Sequence, residues 1–86
     1  MGARSRNEPG RLSIALAAIL SEAFDDSGKT QAEVAEAAGM SQSQLSKYLR
    51  AVRTLTADEL DDLCAALGLS LVDVVTRADA ARRRAP

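Results

Sequence analysis

Eighty-six residues are roughly half of an average domain of about 150, so the chain is one small domain with at most short tails. Its hydrophobic content of 47% rests on Ala, Leu and Val, with alanine supplying about a fifth of the residues and Phe24 and Tyr48 as the only aromatics, a composition that favours close-packed helices over sheets. With no His and the single Cys64, the chain has no histidine-based triad, no His or thiolate zinc site and no intrachain disulfide. A formal charge of −1, averaged over the whole length, argues against a nucleic-acid or membrane partner.

In chain order, Arg4 and Arg6, with Arg11 just beyond, mark residues 1–10 as a flexible basic arm. The apolar run Leu12 to Leu20 is broken by Ser13 and followed by Glu22, Asp25 and Asp26. It is too short for a signal peptide or for the ~18 apolar residues of a membrane span, so a cytoplasmic chain with a reduced cysteine is expected. Leu12, Leu16, Ile19, Leu20, Ala23 and Phe24 recur at three- and four-residue spacing, which predicts a helix from about Pro9 or Arg11 to Asp26, ended by Ser27-Gly28. Thr30 with Glu33 forms a capping box that opens a short helix with Val34, Ala35 and Ala38 inward, and Gly39 suits the left-handed residue that closes it. Ser41 with Gln44 is a second capping box. Its helix turns Leu45, Tyr48 and Leu49 inward and Gln42, Ser43, Ser46, Lys47 and Arg50 outward. A third box, Thr56 with Glu59, starts a helix with Leu60, Leu63, Cys64 and Leu67 on its buried stripe and acids at the positive end of its dipole. Ser70 and Asp73 weakly repeat the pattern ahead of Leu71, Val72, Val74 and Val75. These residues suit a strand equally well, but with no second strand to pair they are read as a last helix. Residues 77–86, with Arg82, Arg83 and Arg84, read as a basic C-terminal tail, either a solubilising disordered segment or an arm that touches phosphate or a minor groove.

The fold class is therefore all-α: a compact five-helix bundle, its domain spanning residues 11–76. Two short helices joined through Gly39, Met40 and Ser41 match the helix-turn-helix unit, whose second helix lies in the DNA major groove. Charge distribution supports the match where the charge total did not. From Met40 to Thr56 there is no acid, only Lys47, Arg50 and Arg53, while the acids cluster on flanking helices expected to face away. Cations at the contact surface suffice for counterion release. Arg50 and Arg53 suit phosphate, with Thr54 and Thr56 adding hydroxyls. Amides such as Gln42 and Gln44 offer the donor and acceptor needed to read adenine, although a capping-box glutamine turns back to its own helix. Tyr48 reads as a core ring with a wet hydroxyl, Cys64 as packing, and the Asp58 to Asp62 run as dipole stabilisation without a metal.

The ordered run Lys29-Thr30-Gln31, Val34-Ala35, Gly39-Met40-Ser41, Leu45-Ser46, Tyr48, Arg53, Leu60, Leu63 to Leu67 and Leu71 resembles the Cro/repressor-type helix-turn-helix family of phage and bacterial transcription regulators. The resemblance covers about residues 12–75 and departs from the family at Leu49, where an acid is common, and at Ala51, where glycine usually closes the recognition helix. It implies a lambda-repressor-like fold. It also implies base reading by Gln42, Ser43, Ser46 and Lys47, and a phosphate contact from Gln31 beside those of Arg50, Arg53 and Thr54. The expected function is a sequence-specific repressor binding a double-stranded DNA operator as a homodimer, without a cofactor, without a membrane partner and without enzymatic activity. Exposed parts of the fourth and fifth helices, such as Val72 and Val75, are the expected dimer surface. Two alternatives are the antitoxin of a toxin–antitoxin pair, which would add a toxin partner, and a helical protein-interaction module without DNA binding.

Overall fold

The computed structural model describes residues 9–84, so the expected arm over residues 1–10 lies outside the described residues except for Pro9 and Gly10. Five helices follow one another: α1 (Arg11–Ser27), α2 (Gln31–Ala38), α3 (Gln42–Leu49), α4 (Ala57–Ala66) and α5 (Leu71–Arg84). All three capping boxes form as their spacing predicts. In each, the Thr30, Ser41 or Thr56 hydroxyl accepts from the amide three residues on, at 3.1 Å, and the Glu33, Gln44 or Glu59 side chain accepts from the cap's own amide at 2.8 to 3.1 Å. These bonds satisfy amides that a helix start otherwise leaves without partners, and they fix where each helix begins. At the start of α5 only half of the arrangement is present, the Asp73 amide donating to Ser70 Oγ at 3.2 Å.

The α2 and α3 pair packs against α1 and α4, and α5 lies along α1 and touches α4. Leu20, Val34, Leu45, Leu63 and Val74 are fully buried at the centre, one from each helix, with Cys64 and the Tyr48 ring beside them. Small Ala17, Ala35, Ala38, Ala66 and Ala78 are also buried, which lets these short helices approach closely. The burial of Cys64 pushes its thiol pKa up, consistent with a packing role. Lys29 Nζ donates to the Ala66 carbonyl at 3.2 Å, placing a cation at the negative end of α4 and pinning the α1–α2 loop to it.

Three expectations need correcting. The last helix does not stop near residue 76 but runs to Arg84, so most of the expected tail is part of the packed domain. The physical reason is the burial of Ala78 against α1, together with Asp79, which pairs with Arg82 at 2.8 Å and Arg83 at 3.1 Å one turn on. What reads in sequence as a charge run is a helix terminus with arginines at the negative end of its dipole. Second, Leu12 lies on the apolar stripe by spacing yet is 39% exposed, because the buried face of α1 is centred on Leu16, Ala17 and Leu20. Third, Leu67 is only partly buried and Ala66 takes the enclosed position, since α4 ends at Ala66 and Leu67 already belongs to the turn.

Candidate nucleic-acid interface

The turn between α2 and α3 is set by Gly39 at φ 71°, whose amide donates to the Glu36 carbonyl at 3.1 Å while the Met40 amide donates to the Ala35 carbonyl at 3.0 Å. This pair of bonds is a Schellman closure, which reverses the chain in the left-handed residue. Ser41 then caps α3, so only three residues separate the two helices. Leu45 and Tyr48 anchor α3 to the core from its inner face.

On the outer face, Gln42, Ser43 and Arg50 are exposed, and Ser46 and Lys47 are half-buried along the same side. The four residues expected to read bases are thus brought together on one helical surface. Gln44 is not with them: its side-chain oxygen is held by the Ser41 amide at 3.1 Å, as the capping box demands. Gln31 is half-buried at the first position of α2, and among the described residues no hydrogen bond joins it to Gln42. Arg50 turns its Nε onto the Ser46 carbonyl at 3.3 Å, so its guanidinium lies back along α3. Arg53 and Thr54 are exposed in the loop that follows.

That loop begins with a second Schellman-type closure. The Ala51 amide donates to the Tyr48 carbonyl at 3.1 Å and the Val52 amide to the Lys47 carbonyl at 2.8 Å, with Ala51 at φ 58°. Ala51 is the one residue other than glycine with positive φ among the described residues. The departure from glycine noted in the sequence therefore falls on a position that keeps the glycine conformation.

One expectation about charge fails at this site. Glu59 does not face away from α3: its Oε2 accepts from the Tyr48 hydroxyl while its Oε1 accepts from the Thr56 amide at 2.8 Å. The capping box is responsible, because it aims the carboxylate back past the start of α4 toward the chain that leaves α3. The Thr56 amide first, then the Tyr48 hydroxyl, hold the Glu59 carboxyl below the usual carboxylate range, and Arg53 acts in the same direction. Tyr48 is pushed above the usual phenol range, first by burial and then by Glu59. Sequence reasoning gave Glu59 only its capping role and Tyr48 a wet hydroxyl. The periodicity of α3 and the capping spacing of α4 each mark one partner, but nothing in the sequence joins them.

A braced helix, a tight glycine turn and a second helix whose outer face is polar and basic define a DNA-binding unit of the helix-turn-helix class. The family model described as "Helix-turn-helix" matches residues 20–74, and the chain belongs to this Cro/repressor-type helix-turn-helix family of DNA-binding regulators. It is similar to the clp gene regulator ClgR from Corynebacterium glutamicum in two solved structures. One is 34% identical with a TM-score of 0.75, covering 85% of this chain and 95% of that one. The other is 36% identical with a TM-score of 0.77, covering 88% of this chain and 80% of that one. No match was found among curated proteins. No helix among the described residues is long and apolar enough to cross a membrane.

Proposed function

We propose that the chain is a sequence-specific repressor that inserts α3 into the major groove of an operator. The observation that carries this reading is the outer face of α3, where exposed Gln42 and Ser43 share a side with Ser46 and Lys47 and no acid intervenes between residues 40 and 56. In this reading Gln42, Ser43, Ser46 and Lys47 face base edges. Gln31 at the start of α2, Arg50 at the end of α3, and Arg53 and Thr54 in the loop contact phosphates on either side, fixing register without reading sequence. Repression follows from occupancy of the operator. A homodimer would place two α3 helices about one duplex turn, ~34 Å, apart on an inverted repeat. The similarity to a clp gene regulator supports the regulatory role.

Selection from randomised duplexes followed by fluorescence anisotropy across a salt series tests this. The expected result is enrichment of an inverted repeat, with log affinity falling linearly against log salt. Absence of binding at low salt would overturn the reading.

A further inference from the structure

The outward face of α1 is a stripe of exposed residues, Arg11, Ile14, Ala18, Glu22 and Asp25, opposite the buried Leu16, Ala17 and Leu20. Their spacing puts them on one line, ~21 Å long at 1.5 Å per residue. The stripe is symmetric in position about Ala18, and its outermost pair, Arg11 and Asp25, is opposite in charge. Ile14 and Glu22 stand four residues either side of it, and Arg11 and Asp25 seven either side. Beside its basic half an apolar cleft of about 290 Å³ opens between α1 and α5, lined by Arg11, Ile14, Ala15, Ala18, Ala81 and Arg82. Ile14 is 53% exposed at this cleft, and Arg11 Nη2 donates to the Arg82 carbonyl at 3.0 Å, which keeps the guanidinium at its rim.

We infer that this face is a two-fold interface between copies of the chain, in which α1 crosses the α1 of the second copy antiparallel with Ala18 at the crossing. Arg11 then faces the partner's Asp25, and Ile14 lies under the aliphatic stem of the partner's Glu22. The two-fold axis makes each contact twice, as an isologous interface requires. A parallel arrangement stacks Arg11 on Arg11 and Asp25 on Asp25, and is excluded by repulsion. Small Ala18 permits the close approach. Exposed ion pairs contribute little singly, so the dimer is weak, sensitive to salt and strengthened when both copies sit on one duplex. This inference rests on the homodimer reading above and assigns its surface.

Sedimentation equilibrium of the full chain and its variants at low and high salt tests it. Asp25→Arg and Arg11→Glu should each raise the self-dissociation constant about tenfold or more, the cost of one like-charge contact repeated by symmetry. Combining the two reversals should restore it, since the pair is rebuilt with signs exchanged. Circular dichroism controls for folding, and Asp25→Arg places a cation at the C-terminal end of α1, where it favours the helix. Dimers that persist in both single variants but are lost in Val72→Glu would overturn the α1 surface and leave the homodimer reading intact. Failure of the double variant to recover would overturn the surface as well. A wild-type chain that is monomeric at every concentration and on DNA would overturn both, while the anisotropy series separately decides whether DNA is bound.

Discussion

The end of α2 and the end of α3 use the same backbone closure with different residues. At Gly39 and at Ala51 the amide of the left-handed residue bonds three residues back and the next amide bonds five back, at φ 71° and 58° respectively. Inside the motif, where the angle between α2 and α3 decides what α3 presents, the conformation is supplied by a residue that adopts it freely. After α3, where the closure opens the loop that holds Arg53 and Thr54, a Cβ is tolerated in a conformation that costs ~1 kcal/mol or more. The difference separates a turn that sets the angle between two packed helices from a turn that opens a loop.

The largest disturbance removes what both closures lean on. Leu45 is fully buried beneath α3, so Leu45→Ala should cost about 2–5 kcal/mol in urea unfolding and abolish DNA binding through loss of the fold. Next, Gly39→Ala should cost about 1–2 kcal/mol. An added Cβ meets nothing within 4 Å there, so the cost is conformational and not steric, and a β-branched Gly39→Val should cost more. Tyr48→Phe disturbs only the exit side: it deletes the hydroxyl that donates to Glu59 and should cost about 1 kcal/mol, leaving the Glu59 cap in place. The same substitution has a pH signature. Because the Glu59 carboxyl is lowered on folding, its contribution is present above the unfolded value of about 4.3 and is lost as pH falls through the folded value. Because Tyr48 is raised, its contribution is present below about 10 and is lost as pH rises through the folded value. Both arms of the stability curve should flatten in Tyr48→Phe. The smallest effect is the mirror of the Gly39 change: Ala51→Gly should stabilise the chain by about 0.5 kcal/mol, the relief of strain being partly offset by greater freedom of the unfolded chain. A destabilised Ala51→Gly would mean that the two closures are not equivalent.

The parts of this molecule that were legible in its sequence are those decided within one helical turn. Thr30, Ser41 and Thr56 find their partners three residues on, Gly39 meets its requirement alone, and the outer face of α3 follows from periodicity. The family resemblance, carried by the same positions, agrees with the family match over residues 20–74. What was not legible depends on neighbours distant in sequence. Glu59 meets Tyr48 because two helices pack at a particular angle, and no local pattern encodes that angle. The continuation of α5 to Arg84 depends on Ala78 finding α1, whereas the arginines taken alone look like a solvated tail. Charge behaves the same way: the capping box ties Glu59 to Thr56 in sequence, but only the packing of α4 brings its carboxylate to Tyr48 on α3.

The sharpest test of α3 as the DNA-reading helix is anisotropy of a labelled selected duplex and a scrambled one, titrated with wild type, Gln42→Ala and Arg50→Ala across a salt series. Gln42→Ala should cost about 1–3 kcal/mol on the selected duplex and little on the scrambled one. Arg50→Ala should weaken both alike and reduce the salt slope by about one. Equal losses from both substitutions on both duplexes, with unchanged slopes, would contradict the division of α3 into base-reading and phosphate-binding residues.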